Sequence, residues 1–175
     1  MDLDTRRRIN DAADAIREVF KIETPIENIE EIVRDLHGRV ERKPSLSEAV
    51  EGKIYRLNSG FVIEVPENKN EYREKFTIAH ELGHLFLHMG YLIDNEIWNQ
   101  NKDNVYFRKE IGEMEYQAHE FAAALLMPRK IFFEVMNNNY EGNGIYNIDN
   151  VAKYFKVSVE AATNRGRWLG ILAWG

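Results

Sequence analysis

The sequence predicts an α+β fold: helices around a small antiparallel sheet, with a helical pair at the C-terminal end. Three observations carry this expectation. Apolar residues recur at helical spacing near the start, through the middle and again near the end. Two short β-type runs flank a turn in the second quarter of the chain. A long, strongly apolar helical segment follows them directly. At 175 residues there is room for one domain with a sizeable core. Within it we expect helices over residues 1–50, a core over 51–128 and the helical pair over 147–170.

Residues 5–21 read as an amphipathic helix, with Ile9, Ala12, Ala13, Ile16, Val19 and Phe20 on one side. A second helix is expected from Thr24 as N-cap, with Pro25 at the first helical position and Glu27 completing a capping box. Gly38 is placed to end it. Residues 53–57 and 61–65 read as strands around Asn58-Ser59-Gly60, with a weaker strand over 39–43. The strand over 61–65 is a candidate to align a peptide by edge pairing. A long helix follows over 72–89. Residues 90–108, rich in Asn and Asp, read as a long loop whose Trp98, Tyr106 and Phe107 could close over a ligand. Helix returns at about 110–126, breaks at Met127-Pro128, and Pro128 opens the next one. Residues 137–144 read as a linker. Two short helices over 148–169, joined at Lys156-Val157-Ser158 with Ser158 as N-cap, complete the chain.

Composition narrows the function classes. There is no cysteine, which excludes disulfides, thiolate-bound zinc and thiol catalysis. A net charge of −6 argues against a broad surface for nucleic acid. The first residues lack an apolar stretch behind their arginines, and no run approaches the ~18 apolar residues of a membrane span. A cytoplasmic protein is expected.

The chemistry concentrates at His80-Glu81-Leu82-Gly83-His84. Residues four apart on a helix lie one above the other, so two imidazoles in H-E-x-x-H can converge on one metal ion, with the glutamate on the same side. Thr77, His80, Glu81, His84 and His88 share one arc about 100° wide, while Ile78, Ala79, Leu82, Leu85 and Phe86 take the other side. A helix this apolar is expected to be buried, and a buried ionisable stripe needs a metal or partners. The bland alternative is a core helix with hydrogen-bonded histidines. A catalytic zinc site needs a third protein ligand and an open position. Spacing leaves Glu110, Glu113, Glu115 and Glu120 as candidates. The metzincin extension fails, because Leu87 and Gly90 stand where Gly and His would be needed.

The run from His80 to His88, followed by Glu115-Tyr-Gln-Ala-His-Glu-Phe-Ala and on to Pro128, resembles the ImmA/IrrE family of metallopeptidases. The resemblance covers roughly residues 51–170. It implies a zincin-like arrangement with one zinc ion per chain, another divalent metal remaining open. His80, His84 and Glu115 would be its ligands, and Glu81 the catalytic base. The family usually carries Asn or Asp where this chain has His119, which is expected to orient a ligand histidine or to approach the metal itself. Zinc lowers the pKa of a bound water to about 7, and Glu81 is expected to take its proton. Tyr91, Tyr106, Tyr116 and His88 are candidates for oxyanion stabilisation, and His88 is expected behind the metal ligands or at the rim.

Residues 152–165 have the look of a helix-turn-helix, with Lys153, Lys156, Arg165 and Arg167 as a modest positive set. Val157, Val159, Ala162, Trp168 and Leu169 make a packing hairpin the favoured reading, so direct DNA binding is disfavoured. The family resemblance implies regulatory proteolysis, with a helix-turn-helix repressor as protein substrate. The competing expectation is a non-catalytic, metal-containing module that binds a repressor or DNA through its C-terminal helices. A small-molecule zinc hydrolase is a third class.

Overall fold

Leu3–Val19 forms helix α1 in the computed structural model, which describes residues 1–44, 52–67, 70–100 and 112–174. The helix starts two residues before the predicted position because Asp2 caps it, accepting from the Thr5 amide at 2.8 Å. Ile9, Ala13 and Arg17 form its buried stripe.

Helix α2 spans Ile29–Asp35 and is shorter than predicted. The Thr24 hydroxyl accepts from Arg17 rather than capping, and the Thr24–Pro25 peptide is cis. Glu27 pairs with Lys156, so no capping box forms. Asn28 caps instead, accepting from the Glu30 amide. The left-handed residue after the helix is His37, at φ 60°, not Gly38. Gly38 begins a strand, and a Cβ there would lie 2.4 Å from the Phe61 ring.

Strands β1 (Gly38–Lys43), β2 (Lys53–Leu57) and β3 (Gly60–Pro66) form a sheet in the order β1-β3-β2. The hairpin β2–β3 is antiparallel, with Ile54 opposite Ile63. β1 runs parallel to β3, with Val40 opposite Ile63. The sheet is therefore mixed, not the antiparallel one expected. The reason lies in β3: Phe61, Val62, Ile63 and Val65 are all buried, so the strand needs a neighbour on each side. β1 and β2 take the edges. This corrects the expectation for residues 61–65, whose backbone is already paired on both sides.

Helix α3 spans Glu71–Leu87, capped by Asn70, which accepts from the Tyr72 and Arg73 amides at 3.1 Å. Helix α4 (Asn95–Gln100) interrupts the expected loop. Its Trp98 is buried against Tyr91, with rings 4.8 Å apart and the Arg56 guanidinium 4.7 Å from the indole. Trp98 is thus part of the core, not of a lid; Tyr106 and Phe107 lie outside the described residues. Helices α5 (Glu113–Leu126) and α6 (Arg129–Asn138) are separated at Met127-Pro128. The predicted linker over residues 137–144 begins inside α6 and carries β4 (Tyr140–Gly142), which pairs with β5 (Ile145–Tyr146) just beyond it. Helices α7 (Ile148–Phe155) and α8 (Val159–Trp168) follow, with the Ser158 hydroxyl accepting from the Ala161 amide at 3.1 Å.

The core lies where α3 packs on α5 and on the sheet, and where α1 crosses α5. Ile78, Leu82, Leu85, Phe121 and Leu125 are fully buried there, each worth about 1.5–3 kcal/mol of burial. Among the described residues no helix is long and apolar enough to cross a membrane.

Candidate metal centre

The middle of α3 is buried on every side, from Thr77 through Phe86. Its apolar face meets the sheet and α5, and its polar stripe is enclosed as well: His80 is 1% exposed, Glu81 3% and His84 4%. Three ionisable groups in one buried stripe are unfavourable without compensation.

Compensation comes from α5. Glu115 places Oε2 at 3.2 Å from His80 Nε2 and Oε1 at 3.4 Å from His84 Nε2, while the two Nε2 atoms are 3.1 Å apart. A tetrahedral centre with bonds of about 2.0–2.1 Å spaces its ligand atoms roughly 3.3–3.4 Å apart. The donor set thus fits a divalent ion, and among the described residues these three groups could hold one. Close approach of the helices makes this possible. A Cβ on Gly83 would lie 2.9 Å from Ala118 Cα and 3.0 Å from its carbonyl oxygen, so α5 can approach only a bare glycine.

His88 and Gln117 bear on which nitrogen of His84 faces the cluster. Gln117 Oε1 lies 3.1 Å from His88 Nε2, and His88 Nδ1 lies 2.9 Å from His84 Nδ1. A carbonyl oxygen only accepts, so His88 donates from Nε2 and accepts at Nδ1. His84 then donates from Nδ1, and its Nε2 lone pair points at Glu115 and His80. Two acceptors, His84 Nε2 and the Glu115 carboxylate, facing each other at 3.4 Å suit a cation between them. Burial holds the His88 imidazole below the usual histidine pKa, against a smaller opposing pull from Gln117 and Glu115. Burial thus favours the neutral imidazole that this relay uses.

A family model described as the IrrE N-terminal-like domain, a peptidase family, matches residues 35–166. The chain belongs to this IrrE-like peptidase family. A Mycobacterium tuberculosis transcriptional regulator shares the fold, with a TM-score of 0.61 at 18% identity. The match covers 92% of this chain and 46% of that one, so this chain spans about half the length of that structure. No curated protein matches the sequence.

The remaining candidates of this IrrE-like chain separate clearly. Glu113 is exposed and pairs with the Met1 ammonium at 3.3 Å. Glu120 is buried away from the histidines, bonded to Arg165 at 3.0 Å and Asn10 at 2.7 Å. Glu110 and Tyr106 lie outside the described residues. Tyr91, a candidate oxyanion donor, is committed elsewhere: its hydroxyl donates to Leu36 O at 2.6 Å. Tyr116 is exposed beside Glu115. His119 packs its ring 4.5 Å from that of His80 and 5.8 Å from Phe76. On the other flank of the stripe, the chain entering β2 closes on Glu81: a Cβ at Gly52 would lie 2.7 Å from Glu81 Oε1 and 2.8 Å from Thr77 Cγ2. Sequence reasoning missed Gln117 and Gly83. A polar residue two after a candidate ligand carries no signal of its own until α3 and α5 are docked.

Proposed function

We propose that this IrrE-like chain is a zinc-dependent regulatory endopeptidase acting on a helix-turn-helix transcriptional repressor in the cytoplasm. The observation that carries the peptidase reading is the convergence of His80, His84 and Glu115 beside the buried carboxylate of Glu81. In this proposal the two histidines and Glu115 hold one zinc ion, with His84 oriented by His88 and Gln117. When bound, zinc supplies Lewis-acid polarisation of a carbonyl and acidifies water. Glu81 does the proton work: its carboxylate accepts a proton from the attacking water and returns it to the leaving amine. Strand β2 is an edge of the sheet that an extended peptide could join, and Gly52, bare of a side chain, brings the chain entering that strand against Glu81.

The repressor as substrate rests on the family resemblance, and it agrees with the structural neighbour's being a transcriptional regulator. A binding module working through the C-terminal helices draws less support. Of its positive set, Arg165 is 1% exposed and bonded to Glu120, and Lys156 pairs with Glu27. Arg165 is thus spent on packing, and Lys156 sits in a surface ion pair.

The deciding experiment is Glu81→Gln, tested against a helix-turn-helix repressor that the unaltered chain cleaves. Gln keeps the size but cannot take a proton, so zinc content and repressor binding should persist while cleavage falls by about 10²–10⁴-fold. Cleavage at the unaltered rate, with zinc confirmed, would defeat Glu81 as the base. Loss of repressor function without cleavage, equal in both proteins, would favour the binding module.

A further inference from the structure

A groove of about 520 Å³ opens beside the candidate metal centre, walled by α3, α5, α1 and α8. Its size falls in the range of small-molecule sites, about 300–1,000 Å³. One end abuts the cluster. The wall there is His119, whose ring lies 4.5 Å from that of His80, and Tyr116, which follows Glu115 on α5. Phe76, one turn before His80 on α3, continues it, with its ring 5.8 Å from that of His119. Ala161 and Trp168 on α8 line the far side. Tyr116 is 65% exposed and Trp168 48%, so two large aromatic side chains border the groove without filling it.

The arginines and the glutamate of the groove are committed to one another. Glu120 places Oε2 at 3.2 Å from Arg6 and Oε1 at 3.0 Å from Arg165, and Asp14 also acts on Arg165. The Arg6 guanidinium lies 3.8 Å from the centre of the Trp168 ring, so a second cation there would meet a like charge. A carboxylate or ammonium entering the groove would give up its water for ion partners already taken. An apolar side chain has no such loss and gains by burial. The groove and the chain entering β2 lie on opposite flanks of the α3 stripe, His119 on one and Gly52 on the other. Alternate side chains of an extended peptide point to the same face. A backbone laid along β2 past Glu81 can therefore turn one side chain into this groove.

We infer that this groove is a specificity pocket, receiving a large apolar or aromatic side chain from the residue next to the scissile bond. The inference rests on the peptidase reading above and narrows its substrate class to peptides with Phe, Trp, Leu or Met at that position. Phe76, Tyr116 and Trp168 are the residues that select, and Ala161 leaves the room between them.

The test is calorimetric titration of the zinc-loaded chain with two hydroxamates. Acetohydroxamate carries the metal-binding group alone, and 3-phenylpropionohydroxamate adds a phenyl ring at the distance a Phe side chain keeps from its own carbonyl. The phenyl compound should bind roughly tenfold or more tighter, as expected for burying a Phe side chain. Ala161→Trp, which fills the groove, should abolish that gain and leave acetohydroxamate affinity unchanged. Trp168→Ala, which removes one wall, should cut the gain severalfold. Equal affinity for the two hydroxamates, or a gain that survives both variants, overturns the pocket and leaves the metal centre standing. Binding of neither hydroxamate defeats the metal centre, and this inference with it. In a peptide library, cuts by the unaltered chain should fall beside a large apolar residue on one fixed side. Cuts at comparable rates between charged residues overturn the pocket as well. The hydroxamate comparison on the unaltered chain remains decisive should either variant fail to fold.

Discussion

Replacing Gly83 by Ala tests whether close contact of α3 and α5 assembles the centre. The added Cβ would sit 2.9 Å from Ala118 Cα and 3.0 Å from Ala118 O, where ordinary contacts begin at 3.4 Å. Relief therefore demands that the helices part by 3.4 − 2.9 = 0.5 Å or more, and both clashing atoms are backbone, so no rotamer change can absorb it. Glu115 rides on α5 while His80 and His84 ride on α3. Metal bonds tolerate about ±0.2 Å, so the carboxylate would be carried out of range. Stability should change less than affinity: Ala gains about 1 kcal/mol of helix propensity over Gly, against about 1–3 kcal/mol of overpacking. Zinc affinity by chelator competition, beside the thermal midpoint of the metal-free protein, separates the two effects. We expect affinity to fall by about 10-fold or more, the lower end for a disturbed metal site, with a folded protein. Adding Ala118→Gly should not restore it, since only the third contact, 3.3 Å to Ala118 Cβ, would be removed. Unaltered affinity in Gly83→Ala, or full rescue by Ala118→Gly, would refute the reasoning.

Three other outcomes are expected. Glu115→Ala should abolish stoichiometric zinc binding in elemental analysis while Glu113→Ala leaves it intact; Glu120→Ala should instead destabilise the fold by about 3–5 kcal/mol in denaturant titration, because it strips the buried Arg165 of its carboxylate. His88→Ala and Gln117→Leu should each weaken zinc binding by about 10–100-fold at unchanged secondary structure, as loss of a partner behind a ligand does; equal affinity in both would remove the tautomer relay. Asp14 has its pKa raised above 3.8, first by burial and against the pull of Arg17 and Arg165. The folded state thus holds that proton more tightly than the unfolded chain, so stability from this group is lost as pH rises through the folded pKa. Asp14→Asn should therefore raise the thermal midpoint at neutral pH, and the gain should vanish below pH 3.8.

Much of the architecture follows from local rules that a sequence exposes. α1, α3, α7 and α8 fall close to where apolar period and caps predict them, because a helix satisfies its own backbone within a few residues. Where a side chain had a distant use, local reading went astray. Thr24 looked like a cap but accepts from Arg17, and Glu27 pairs with Lys156 in the C-terminal half. Trp98 looked like a lid residue in a polar loop, yet Tyr91 and Arg56 hold it in the core.

By itself the sequence determined the metal-type pair on α3, His80 and His84 with Glu81 between them, because a four-residue spacing on a helix is a local geometric fact. It also determined the mixed helix-and-strand composition and the Ser158-capped helical pair. The family resemblance, read from the sequence, singled out Glu115 where spacing alone left four glutamates open, and the structure brings its carboxylate to the histidines. Only the tertiary structure decided that β1 lies parallel to β3 and that Gly83 admits α5. It alone brought Gln117 to His88. The physical reason is range. Period and capping act over one helical turn, whereas pairing across the sheet and docking of α3 on α5 depend on residues dozens of positions apart, whose meeting no local pattern encodes.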